Sequence, residues 1–232
     1  MKVAKKRKEA LDKVDRNKLY TLRDASNIIV DFPKPNFDPT VEMHIKLGID
    51  PKKPDQALRG TVSLPHGTGQ ERTVLALCEP AKQDEATQAG ADYVGLDEYI
   101  EKIENGWTDV DVIVASPSVM PQIAKLGRVL GPRGLMPNPK SGTVSENMGQ
   151  AVSELKKGKI SFRVDKYGVM HVPIGKASFS GEQIFENGKE MIQTLASMKP
   201  SGAKGLYFRS VYLTATMSPS VKVDPKTVVS EK

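Results

Sequence analysis

Residues 112–145 read VIVASPSVMPQIAKLGRVLGPRGLMPNPKSGTVS, and this run decides how the rest of the chain divides. It opens on Val112 to Ala115, four apolar residues that read as a buried strand. Ser116-Pro117 follows, a capping hydroxyl with proline at the first helical position, so a short helix is expected next. The backbone is then punctuated by Gly127, Gly131, Gly134 and Gly142, interleaved with Pro132, Pro137 and Pro139. Glycine lets main-chain N–H groups approach a ligand, and proline holds a loop extended at low entropic cost. The run holds no Asp or Glu but carries Lys125, Arg128, Arg133 and Lys140, so the expected ligand is a phosphate oxygen. The plain alternative is a rigid connector whose charges are solvated.

Outward from this run the pattern is strand, helix, strand. Thr73 to Cys78, Tyr93 to Gly95 and Val110 to Ala115 read as strands; Ala81 to Ala89, Leu96 to Glu104 and Asn147 to Lys157 read as helices. Short apolar strands alternating with helices predict a parallel sheet with right-handed crossovers. Beyond both ends the style changes. Thr21 caps a helix with Leu22, Ala25, Ile28 and Ile29 on one side, and residues 2–8 carry five positive charges on a basic arm. Val41, Met43, Ile45 and Leu47 then alternate with Thr40, Glu42, His44 and Lys46, a strand with one buried face, and Thr61 to Leu64 is a second strand. Lys159 to Val164 and Val169 to Ile174 flank Asp165-Lys166-Tyr167-Gly168, which reads as a hairpin turn. Ser180 to Gln183 is a capping box opening a helix with Ile184, Phe185, Met191, Ile192 and Leu195 as core positions. A last strand is expected over Leu206 to Met217, with Met217 buried beside Ala215, and a disordered polar tail after Ser218.

The expected fold class is therefore α/β. An α+β outer domain of split β-α-β type, with an antiparallel sheet, takes residues 1–66 and 159–232. A Rossmann-like three-layer α/β domain, residues 67–158, is inserted in it. Gly67 and Gly69, in the stretch PHGTG, and Gly158 are the expected hinges.

Composition narrows the function classes. Mean hydropathy is −0.38 and no apolar run reaches the length of a membrane span, so no membrane partner is expected. The basic start lacks the apolar core of a secretory signal, and a cytoplasmic location is expected. The single cysteine, Cys78, lies in TVLALC and reads as a buried small hydrophobe. His44, His66 and His171 are far apart in sequence, so no metal site is expected. No phosphate loop, dinucleotide fingerprint or base–nucleophile pair is present, so no catalytic residue and no cofactor are assigned. The net charge of +6 is uneven: the outer segments carry +10 together and residues 67–158 carry −4. A polyanion would meet the outer body.

The run IAKLGRVLGPRGLMPNPKSGTV, with FDPTVE, LGIDPKK, ALRGTVSLPHGTG, DKYGVMHVPIGK and TATMS, resembles the L-one family of bacterial large-subunit ribosomal proteins over nearly the whole chain. The resemblance implies a discontinuous RNA-binding domain with a Rossmann-like insertion. It implies binding to large-subunit rRNA of the mobile stalk as part of the 50S subunit, and a role in releasing deacylated tRNA through the exit site. It also implies repression of the protein's own mRNA; a monomer is expected off the ribosome. The family's strongest RNA contacts map onto Phe37, Thr40, Glu42, Thr216 and Met217. Where the family commonly has Thr-Met-Gly this chain has Thr216-Met217-Ser218, and Pro39 is a second local departure.

By their chemistry, Thr40 and Glu42 share a polar strand face suited to 2′-hydroxyls, and Phe37 reads equally as a stacking ring or a core plug. Lys46, Arg163, Lys166 and His171 are candidate phosphate contacts, and Ser218 joins the Thr216 motif. Lys125, Arg128, Arg133 and Lys140 are candidate secondary phosphate contacts. The competing reading is a Rossmann-like enzyme acting on a phosphorylated small molecule, disfavoured by the missing phosphate loop.

Overall fold

The computed structural model describes residues 5–230. The beginning of the expected basic arm lies outside them, and from Lys5 it is helix. In chain order the first elements are α1 (Lys5–Asp12), α2 (Leu22–Val30), β1 (Thr40–Leu47) and β2 (Arg59–Ser63). Next come β3 (Val74–Leu77), α3 (Pro80–Gln88), β4 (Tyr93–Gly95), α4 (Asp97–Glu104) and β5 (Val112–Ala115). After β5 lie two single turns, α5 (Met120–Ile123) and α6 (Gly127–Leu130), and then α7 (Met148–Lys156). The remainder is β6 (Lys159–Arg163), β7 (Val169–Lys176), α8 (Gly181–Ser197), β8 (Phe208–Ala215), β9 (Val221–Val223) and α9 (Pro225–Ser230). Two compact units result: Met1–Gln70 with Ile160–Lys232, and Glu71–Lys159. The first holds 24 Lys/Arg against 15 Asp/Glu, a net +9, and the second a net −3.

The first unit is organised by β1. Its alternation is realised residue by residue, with Val41, Met43, Ile45 and Leu47 fully buried and their neighbours half-exposed. β1 pairs antiparallel with β7 on one side and β8 on the other, giving the sheet order β7-β1-β8-β9. One face of this sheet is covered by α2 and α8. Thr21 caps α2 by accepting the Asp24 N–H, and the predicted capping box closes at Ser180 and Gln183. The other face stays open.

Three expectations for this unit are corrected. The Asp165–Gly168 turn forms, its carboxylate accepting the Tyr167 and Val169 N–H groups, but the flanking strands separate at once. β6 pairs with β2 while β7 pairs with β1, five residues against five and eight against eight. The last strand stops at Ala215 and not at Met217. The tail is ordered: β9 extends the sheet with Val221 and Val223 fully buried, and α9 follows.

The second unit is a three-stranded parallel sheet, order β4-β3-β5, between two helical layers. Leu75 and Leu77 face α4 and the 117–130 segment, while Val74, Ala76 and Cys78 face α3 and α7. Cys78 is buried, and burial pushes its thiol pKa up. The decisive run 112–145 folds back on its own start: Ala115 N–H donates to Thr143 O, and Ala115 O accepts the Ser145 N–H in return. The expected short helix is broken into alternating 3-10 and α turns over 117–130. The Ser116 hydroxyl does not cap it but meets Ser118 Oγ at 2.9 Å.

Candidate nucleic-acid interface

Strand register turns the open face of the first unit into rows of side chains. Lys176 lies opposite Thr40, and its ammonium donates to Thr40 Oγ1 at 2.9 Å. Pro173, Glu42 and Thr214 form the next row, and then His171, His44, Tyr212 and Lys222 cross all four strands. Val169, Lys46 and Ser210 close the face, where Lys46 Nζ donates to the Tyr167 carbonyl beside the exposed Lys166. The face is thus rich in hydroxyls and cations, with Glu42 its single carboxylate. Such groups can hydrogen-bond 2′-hydroxyls and hold phosphate oxygens.

At the Thr40 end the chain leaves β8 by a turn. Thr216 N–H and Oγ1 both donate to Thr40 O, at 3.0 and 3.3 Å. Met217 is not buried: it is 70 % exposed and its φ is +69°, the single non-glycine residue in the left-handed region among those described. That conformation costs about 1–2 kcal/mol for a residue with a Cβ, and such strain clusters at ligand sites. Ser218 stands where the resemblance implies a glycine, and its backbone lies outside the left-handed region, so a side chain fits there without strain. Its hydroxyl turns inward, accepting the Ala215 N–H at 2.9 Å and donating to Pro219 O at 3.1 Å. The turn flanks a groove of about 480 Å³ whose floor includes Phe32, Pro35 and Ala177 and whose rim carries Lys5, Arg7 and Lys34. Pro39, the other departure, is buried and gives its carbonyl to the Ala177 N–H.

Of the residues singled out in sequence, Thr40, Glu42, Lys46 and His171 fall on the sheet face, and Thr216, Met217 and Ser218 on the adjoining turn. Phe37 is 51 % exposed just before β1, which removes the core-plug reading. Arg163 belongs to the β2–β6 pair and not to this face. In the second unit Lys125, Arg128 and Lys140 are exposed, whereas Arg133 bonds the Thr108 hydroxyl. Gly67, Gly69 and Gly158 all have positive φ, at +63°, +67° and +99°. Reading sequence alone missed Lys176, Ser210, Tyr212, Thr214 and Lys222. The alternation of residues 208–215 could have supplied three of them once the strand was paired with β1.

His44 and His171, 127 residues apart, meet with their Nδ1 atoms 2.8 Å from each other, and His44 Nε2 lies 3.1 Å from Thr214 Oγ1. One ring nitrogen of the pair must donate and the other accept, so a second proton is opposed. Burial, helped by the neighbouring His171 charge and opposed by Glu42 at 3.7 Å, holds the His44 pKa below its ordinary value. In the unfolded chain His44 returns to about 6.5. Below that pH the unfolded state binds the proton more readily, so the stability that neutral His44 confers is present above about 6.5 and lost as pH falls. Urea midpoints of wild type and His44→Gln at pH 7 and pH 5 test this. The wild type should lose more on acidification, and parallel losses would remove the pair from the account.

The chain matches the model of the Ribosomal protein L1p/L10e family over residues 29–219. It is 57 % identical to the large ribosomal subunit protein uL1 of Parabacteroides distasonis over 227 residues, 98 % of each chain. It is 56 % identical to the proteins of that name from Porphyromonas gingivalis and Flavobacterium psychrophilum, again over 98 % of this chain.

Proposed function

We propose, from the premise that this chain belongs to the ribosomal protein L1p/L10e family, that it is a structural, non-enzymatic constituent of the large ribosomal subunit that binds rRNA through its first unit. The observation that carries the reading is the uncovered face of the β7-β1-β8-β9 sheet. Its other side is packed against α2 and α8, so the core does not need the polar face, and that face lies on the unit with charge +9. Phe37 offers a ring for stacking at one end. Thr40, Glu42, Thr214 and Thr216 address sugars and base edges, and Lys46, Lys166, Lys176 and His171 address phosphates. Lys125, Arg128 and Lys140 serve as secondary phosphate contacts on the second unit, with Gly67, Gly69 and Gly158 as flex points of the two crossings. The finer role follows the family: residence on the stalk beside the exit site, assistance to deacylated tRNA on its way out, and repression of the protein's own mRNA through the same face.

A folded fragment of large-subunit stalk rRNA, compared with a DNA hairpin of the same sequence, tests the reading. Affinity for RNA should fall log-linearly with salt as counterions are released, and should exceed that for DNA because hydroxyl-rich faces read the 2′-OH. Equal affinity for the two, or none for either, would refute it.

A further inference from the structure

We infer that the groove beside the Thr216–Met217 turn receives one unpaired nucleotide of the bound RNA, its base swung out of the strand onto the apolar floor. The inference rests on the rRNA reading above and adds to it a site for a single base. The groove lies wholly within the first unit and holds about 480 Å³. Ile29, Phe32, Pro33, Pro35 and Ala177 give it flat apolar surface. Lys5, Lys6, Arg7 and Lys34, all exposed, line it as well. The fold does not need it filled, and the sheet face as described stops at its edge.

Charge narrows the occupant. Every charged residue lining the groove is a cation, and none of the four enters an ion pair among the described residues. Lys6 Nζ donates to the Lys34 carbonyl at 2.8 Å, which ties α1 to the proline-rich stretch across the groove. Asp31 and Asp38, the acids of that stretch, do not line it, and the Asp38 carboxylate is taken up by the Ser178 N–H and hydroxyl at 3.0 and 2.7 Å. The fitting ligand therefore has a flat apolar body with anionic groups at its edge, as a nucleotide does. Continuity selects a nucleotide of the bound RNA over a free amphipathic anion. Thr216, Met217 and Ser218 form the mouth, and Thr216 is bonded to Thr40 O, at the first row of the sheet face. Ala177 on the floor follows Lys176, whose ammonium completes that row. A strand leaving the face at Thr40 thus passes the exposed, polarizable Met217 and reaches apolar surface rimmed by cations. Unpaired bases splayed out of RNA are recognised on such surfaces.

The full chain is titrated with a stalk rRNA fragment in which each unpaired nucleotide in turn is made abasic. One position should weaken binding about ten-fold, the scale of a single lost base stack. In Arg7→Ala combined with Lys34→Ala that penalty should shrink, because base and cations serve the same nucleotide. The same variant should flatten the salt slope by about 1.4, at 0.7 for each single-strand phosphate contact. Both side chains are exposed, so the variant keeps its fold. Phe37→Ala should leave the abasic penalty unchanged. A fragment that tolerates every abasic change, or a penalty unaltered in the Arg7 and Lys34 variant, overturns the inference. A penalty that vanishes in Phe37→Ala gives the base to that ring and overturns it as well. Decanoate is the rival probe: thermal stabilisation by it that depends on Arg7 and Lys34 and leaves RNA affinity intact would hand the groove to a free amphipathic anion. Failure of the wild type to bind the unmodified fragment is a separate result, and it removes the rRNA reading together with this one.

Discussion

Asn187→Leu should destabilise the first unit by about 3 kcal/mol, the cost of stranding buried backbone groups. Asn187 lies on α8 and is fully buried. Its Oδ1 accepts the His66 N–H at 3.0 Å, and its Nδ2 donates to Gly67 O at 2.9 Å and to Ile174 O at 2.8 Å. The last bond has a cause in the sheet. The register between β1 and β7 shifts at Val41/Glu42, whose partners are Gly175 and Pro173, so Ile174 is the extra residue of a bulge. Its carbonyl finds its partner in a side chain from the covering helix. The same amide fastens the turn at residues 66–67, where Gly67 takes a positive φ. One side chain therefore serves the bulge and the exit from the outer unit together. Leucine fills the space and satisfies none of the three groups. Urea unfolding of Asn187→Leu beside Gln193→Leu, on the exposed side of the same helix, measures the effect. The control should move by less than about 0.5 kcal/mol, and equal shifts would deny Asn187 its clamp.

Asn187 also shows where sequence reading runs out. A polar residue inside an amphipathic helix reads as solvent face, and nothing local distinguishes one with two of its three partners 120 residues or more upstream. What was legible was periodic. The alternation over residues 40–47 and the capping box at Ser180 are dictated by neighbours in sequence, and both were realised. Partner choice among strands was not legible. A turn as well formed as Asp165–Gly168 predicts a ladder locally, yet β6 and β7 leave it for different sheets, the eight residues of β7 matching the eight of β1 and the five of β6 the five of β2. The sheet face was half visible for the same reason, since β1 announces its outward residues but their cross-strand neighbours depend on register. Met217 was misplaced because alternation was carried two residues past the end of the hydrogen-bonded strand, into a turn with φ of +69°. The tail was misread because three residues of β9 are too short a run to show a period.

Lys46→Glu combined with Lys176→Glu should cost the chain roughly a hundred-fold in rRNA affinity, at about 1.5 kcal/mol for each charge-assisted contact. The two lysines stand at opposite ends of the β1–β7 pair, so an RNA lying along the open face meets both. Each phosphate neutralised contributes about 0.9 to the slope of log affinity against log salt for a duplex. Removing both contacts should flatten that slope by roughly two, a signature that a lost shape contact would not give. Each lysine also holds a local bond, Lys46 to Tyr167 O and Lys176 to Thr40 Oγ1, so circular dichroism must first show the variant folded. Lys125→Glu with Arg128→Glu makes the same charge change on the second unit. Its effect should be several-fold smaller, because those cations stand on a unit of charge −3. If the second pair of reversals costs more than the first, the dominant phosphate track runs along the 112–145 run and the sheet face is only its support.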